Sequence, residues 1–107
     1  MILISKYIVP KGFIGITVFP FIFLREKSLR NDKTLINHEK IHLQQQLELG
    51  IFFFFIFYGL EWFIKLLKYK NSYTAYQNIS FEREAYQNET DFLYLKKRKW
   101  WRFLKYI

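Results

Sequence analysis

The sequence predicts an α+β domain that is mostly α. An N-terminal β-hairpin is expected to pack on the helix that carries both histidines, with two or three further helices after it. Three observations lead there. Residues 13–24 read Phe-Ile-Gly-Ile-Thr-Val-Phe-Pro-Phe-Ile-Phe-Leu, a run rich in β-branched and aromatic side chains that suits strand. From Thr34 onward the patterning turns helical. The chain has 107 residues, which suits a single domain over 1–107.

Ile2–Val9 is a short apolar segment closed by the turn signal Pro10-Lys11-Gly12. It is expected to pair with Phe13–Leu24 as a hairpin around that turn. Pro20 has no N–H to give a ladder, so it marks an edge or a bend. Arg25–Lys33 is polar, and Asn31-Asp32 reads as a loop or helix cap. Thr34–Leu49 is the first predicted helix, with Leu35, Ile36, Leu43 and Leu47 near one side and Gly50 as its end. Ile51–Tyr69 is the second, apolar nearly all round in its first half, as in a buried or lipid-facing helix. Asn71–Ser80 reads as a polar connection. Phe81–Leu95 is the third helix, with Glu82, Ala85, Tyr86 and Glu89 on one face.

Composition narrows the chemistry. Hydrophobic residues make up 51% and aromatics 22%, too much for a disordered chain. So many large apolar side chains exceed what a small core needs, and the surplus must face a membrane, a partner or a substrate groove. There is no cysteine, which excludes disulfides, thiolate metal sites and cysteine nucleophiles and is compatible with a reducing compartment. The start lacks the basic region and small-residue cleavage site of a signal peptide, so a cytoplasmic location or the cytoplasmic face of a membrane is expected. The uncharged run Leu49–Leu60 is short of the ~20 residues a spanning helix wants. Extending it to Leu67 takes in Glu61 and Lys65, so a buried or interfacial helix is expected there rather than a span over 49–67.

Both histidines stand in His38-Glu39-Lys40-Ile41-His42, an H-E-x-x-H sequence on the first predicted helix. Residues at i and i+4 lie one turn apart on the same face, so two imidazoles can grip one Zn²⁺. Glu39 is rotated from His38 by about 100°, too far to ligate but placed to act as general base on a metal-bound water. Catalytic zinc takes three protein ligands and leaves a fourth position to water. With no third histidine and no cysteine, the third ligand must be a carboxylate from another element. Glu82 lies forty residues after His42, on the face with Ala85 and Tyr86 that should pack inward, and is the expected ligand. Glu84, expected toward the outside with Arg83 and Asn88, is the alternative.

His38-Glu39-x-x-His42 followed by Glu82-x-x-Ala85 resembles the gluzincin metallopeptidases. The closest resemblance is to the family of membrane-bound CAAX prenyl endopeptidases and related bacterial heat-shock membrane proteases, whose pattern is H-E-x-x-H and then E-x-x-A-D. The resemblance implies His38, His42 and Glu82 as zinc ligands and Glu39 as catalytic base. Tyr86 stands where that family has Asp. Stabilisation of an oxyanion or support of the site would fall to Tyr73, Tyr76, Tyr86 or Arg83, since no histidine is spare. In such enzymes an edge strand above the active-site helix pairs with an extended substrate, a role open to Phe13–Leu24.

The tail Lys96–Ile107 has six basic residues and no acidic one, interleaved with Trp100, Trp101, Phe103, Leu104 and Tyr106. Such a segment suits a helix lying on an anionic membrane surface. Nucleic acid is not the expected partner, because no nucleic-acid motif accompanies the charge. The function expected from the sequence is zinc-dependent hydrolysis of peptide bonds in a hydrophobic peptide or protein substrate. The alternatives are a membrane-associated binding or structural protein and a zinc-binding relic without peptidase activity.

Overall fold

The structure, a computed structural model, describes residues 1–107. It is α+β and mostly helical, with a small three-stranded sheet laid on the histidine helix, as the sequence predicts. The hairpin lies elsewhere than expected. Residues 13–24 fold back on themselves at the cis bond Phe19-Pro20, giving β2 (Gly15–Val18) and β3 (Phe21–Leu24), paired antiparallel with Gly15 opposite Leu24 and Val18 opposite Phe21. A strand of twelve residues carrying a proline bends there instead of running through. β1 (Ile2–Ile4) takes the other side of β3, and runs parallel to it. Pro10-Lys11-Gly12 is therefore part of a crossover and not a hairpin turn. Arg25 ties that crossover down by donating to the carbonyls of Phe13 at 2.9 Å, Val9 at 2.7 Å and Pro10 at 2.6 Å.

The sheet order β1-β3-β2 leaves β2 as an edge. Arg25 N–H donates to Ile14 C=O at 2.9 Å, which fixes the phase of the ladder. By the alternation of antiparallel pairing, Ile16 bonds to β3 while Gly15 and Thr17 turn their N–H and C=O to the free side.

α1 (Lys33–Leu49) begins where Asp32 accepts from the N–H of Leu35 at 3.0 Å. It ends at Gly50, whose φ of 84° is a conformation that glycine adopts without a side-chain clash. α2 (Ile51–Tyr69) leaves from that residue, bent 111° from α1. No single helix is long and apolar enough to cross a membrane. The polar connection contains a short helix, α3 (Ser72–Gln77), capped by Asn71 accepting from Thr74 N–H at 2.9 Å. α4 (Ser80–Asn88) is shorter than the third helix expected, because the chain turns at Glu89–Thr90 and resumes in α5 (Tyr94–Lys97).

The buried face of α1 is not the leucine side. Leu47 is 49% exposed, and Leu35, Ile36 and Leu43 are only half-buried. The side turned inward carries Asn37, His38, Ile41, His42, Gln45, Gln46 and Glu48. Burying so many polar groups is tolerable only if each is paired. Every buried side-chain polar atom has a hydrogen-bond partner. Apolar packing comes from two clusters on either side of these groups: Phe54, Ile79, Phe81 and Phe103, and Ile41, Ala85 and Tyr94.

The tail is not a continuous amphipathic helix. After α5 it makes a turn and a 3-10 segment, Arg102–Tyr106, with Phe103 buried against Phe81. Arg98, one of the six basic tail residues, points inward with its side chain 1% exposed.

A candidate metal centre beneath the edge strand

α1 and α4 pack side by side and bring three donor atoms to one point. His38 Nε2 and His42 Nε2 are 3.2 Å apart, and Glu82 Oε1 lies 3.2 Å from the first and 3.1 Å from the second. The three atoms form a nearly equilateral triangle. Tetrahedral donors around a zinc at ~2.0–2.1 Å are about 3.3 Å apart, so the triangle has the size of one face of a zinc coordination shell. All three residues are buried.

The outer hydrogen bonds decide which way the lone pairs point. His38 Nδ1 faces Glu89 Oε1 at 3.1 Å, and an ionised carboxylate only accepts. His42 Nδ1 faces Gln45 Oε1 at 2.8 Å. The orientation of that amide is fixed, because its Nε2 donates to Phe81 C=O at 3.1 Å and to Glu84 Oε1 at 3.0 Å. Both Nδ1 atoms are therefore donors. In the neutral imidazoles both Nε2 atoms then carry lone pairs, aimed with the carboxylate oxygen at the same spot. Without a metal, the proton that His42 keeps on Nε2 answers this convergence by donating to Glu82, and a bound cation would take that proton's place. The donor set fits zinc, with two imidazole nitrogens, one monodentate carboxylate and an open side toward the cleft.

The local field agrees. Burial alone would push the His42 imidazole down, but the Glu82 carboxylate, with lesser help from Glu39 and Gln45, overrides it and raises His42 to about 9. Burial opposes charge on Glu82 as well, yet His42 and His38 hold its carboxyl well below the usual carboxylate range. Its second oxygen, Oε2, accepts from Tyr58 O–H at 2.6 Å, leaving Oε1 for the triangle.

Glu39 sits next to the triangle, with its carboxylate within 4.8 Å of both histidine donor atoms. Thr17 O–H, from β2, lies 3.3 Å from its Oε1 and 3.1 Å from its backbone carbonyl. Burial pushes the Glu39 carboxyl up, with the histidines acting against that rise. Its Oε2 has no protein partner, and since no buried side-chain oxygen is left unpaired, that atom is open to the cleft.

The cleft, about 630 Å³, runs between β2 and the helices and is floored by His38, Glu39, His42 and Glu82. Phe13, Phe55 and Tyr73 contribute to its walls. Tyr76 and Tyr86 also line it, their hydroxyls 3.1 Å apart, and the Tyr86 ring stands edge-on to His38 with centroids 4.6 Å apart. Burial and the Glu82 charge push the Tyr58 and Tyr76 phenols well up, and burial pushes Tyr86 up, so all three remain O–H donors at neutral pH. Gln46 braces the edge strand, accepting from Phe19 N–H at 2.6 Å and donating to Thr17 C=O at 2.7 Å. The Gly15 N–H and C=O and the Thr17 N–H are left on the free edge.

Of the residues singled out in the sequence, His38, Glu39, His42, Glu82, Tyr73, Tyr76 and Tyr86 are brought to this cleft. Arg83 is not: it donates to Tyr106 C=O at 2.6 Å on the far side of α4. Glu84 is not at the metal centre, nor is it outside. It is fully buried in a second network, accepting from Arg98 Nε at 2.5 Å and from Tyr94 O–H at 2.6 Å. Arg98 also forks onto Glu48, at 2.5 and 3.2 Å. Sequence reasoning missed Tyr58, Gln45 and Thr17. Tyr58 had a signal, as the only polar side chain within Ile51–Leu60. No protein-family model matches the chain, and neither a curated protein nor a solved structure matches it.

Proposed function

We propose that this chain is a minimal zinc metallopeptidase of gluzincin type. The observation that carries the reading is the convergence of His38 Nε2, His42 Nε2 and Glu82 Oε1, with both Nδ1 protons committed elsewhere. His38, His42 and Glu82 would hold zinc there, and the metal would supply a Lewis acid that lowers the pKa of a water toward ~7. Glu39 Oε2, open to the cleft beside that position, takes a proton from the attacking water and delivers it to the leaving amine. A carboxyl raised by burial suits this work, because its proton affinity is brought nearer to neutral pH. Thr17 holds the other carboxylate oxygen and so orients the base. One of the Tyr76 and Tyr86 hydroxyls donates to the other, which leaves a single O–H at the cleft to serve a developing oxyanion.

An extended peptide lies along β2, bonding to the free N–H and C=O of Gly15 and the N–H of Thr17. The Phe13, Phe55 and Tyr73 walls favour hydrophobic side chains. The test is metal content together with activity on a mixed peptide library. Wild type should bind one equivalent of zinc and cleave. Glu39→Gln should keep zinc and lose turnover by at least ~100-fold, and His38→Ala should lose the metal. A wild-type chain that binds no zinc overturns the reading. One that binds zinc and is indifferent to Glu39→Gln leaves a zinc-binding structural protein.

A further inference from the structure

α2 carries its charges on the wrong side for a helix facing water. Phe54, Tyr58, Glu61 and Lys65, spaced at i, i+4, i+7 and i+11, share the stripe turned to the protein. Phe54 is buried in the core, and Glu61 accepts from the N–H of Ser80 at 2.8 Å and from its hydroxyl. Lys68, the third charge of the helix, lies at the margin of that stripe. The opposite face is apolar without interruption: Phe52, Phe53, Ile56, Leu60, Phe63 and Ile64, from 39% exposed at Ile56 to 70% at Phe52. With Leu67 it spans about 24 Å of helix at 1.5 Å per residue. A patch of this size on a small domain marks an interaction face.

Charge says what covers it. Glu39, Glu48, Glu82 and Glu84 are buried, while the only basic side chain turned inside is that of Arg98. The surface is left with sixteen basic side chains against five acidic ones, more positive than the formal +8 of the whole chain. Such a surface repels a second copy of itself and attracts anionic headgroups. The apolar face also has no polar group to fix the register of a protein partner, which acyl chains do not require. No single helix here is long and apolar enough to cross a membrane, and the bent pair of α1 and α2, which is so only when taken together, has the polar face of α1 buried inside the domain.

We propose that the outer face of α2 docks on an anionic lipid bilayer, lying in the plane of the interface with Phe52 to Leu67 among the upper acyl chains. This uses no residue of the metal centre and does not depend on peptidase activity. The experiment is sedimentation of the full chain with vesicles of phosphatidylcholine alone and of phosphatidylcholine mixed with phosphatidylglycerol. Wild type should pellet with the anionic vesicles and much less with the neutral ones, and raised salt should weaken binding. The triple variant Phe53→Gln, Leu60→Gln, Ile64→Gln should keep its helical circular dichroism and lose partitioning by about a hundredfold. Because the chain has no cysteine, Leu60→Cys can be labelled alone with a polarity-sensitive dye. Its emission should shift to the blue on anionic vesicles, while the same dye at exposed Lys27→Cys should not shift. Equal binding to neutral vesicles, full binding by the triple variant, an unshifted Leu60→Cys label, or a wild-type dimer that the triple variant dissolves would each overturn the proposal.

Discussion

Gln45 Oε1 accepts from His42 Nδ1 at 2.8 Å, and through this one amide the candidate metal site is joined to the buried network around Arg98. The far side of Gln45 donates to Glu84, which Arg98 holds in place. A residue of the basic tail thus sets the orientation of an imidazole three contacts away. Gln45→Leu keeps similar bulk and removes the acceptor, freeing His42 to rotate or to change tautomer. Zinc affinity should fall ~10–100-fold, measured by chelator competition, with helical content retained.

Arg98 is the only guanidinium between two buried carboxylates, Glu48 and Glu84. Its removal leaves both without a counter-charge in a place closed to water. Arg98→Met should cost about 3–5 kcal/mol of stability, read by chemical denaturation. Lys97→Ala, one residue earlier, breaks only the exposed contact with Asp91 at 2.8 Å and should leave the denaturation midpoint unchanged.

The same pair of networks shows what could be read from the sequence. The positions of His38, Glu39 and His42 were legible because i, i+4 spacing is local and rigid. Glu82 was legible because it shares a helical face with Ala85, which is buried. Glu84 was not, since what turns it inward is Arg98, fourteen residues further on, folding back over α4. The inward face of α1 was missed for a related reason. Apolar periodicity points to Leu35, Ile36, Leu43 and Leu47, whereas the helix buries the amides and imidazoles that build the candidate metal site. Hydrophobic pattern finds cores built by apolar burial, and this helix is buried for its hydrogen bonds.

Glu39 should be a costly residue for the fold. Its carboxyl is raised by burial above the ordinary value, so ionisation is harder in the folded chain than in the unfolded one. The contribution of such a group is fully present below its unfolded pKa of ~4.3 and is lost as pH rises toward the folded one. With zinc chelated, Glu39→Gln should therefore raise the melting temperature at pH 7, and the gain should shrink as pH falls from the raised folded value to the ordinary carboxylate range, below which it is gone. Melting curves of both proteins across pH check the sign. A destabilised Glu39→Gln at neutral pH would mean that the carboxylate is held by more than the Thr17 hydroxyl.

Tyr58 offers the cleanest test that Glu82 is a ligand through one oxygen. The phenol donates to Glu82 Oε2 at 2.6 Å, while Oε1 faces the histidines. Tyr58→Phe keeps the ring packed against Phe54 and deletes only the donor. The freed Oε2 can then compete for the metal or swing the carboxylate away. Zinc binding should weaken ~10-fold or more, as it does when a hydrogen bond supporting a ligand is removed. The loss of one hydrogen bond to a charged group should lower stability by only about 1.5–3 kcal/mol. Weaker zinc binding in a chain that remains folded would tie Tyr58 to the metal centre. Unchanged zinc affinity would mean that the Glu82 carboxylate is held by α4 and the histidines alone.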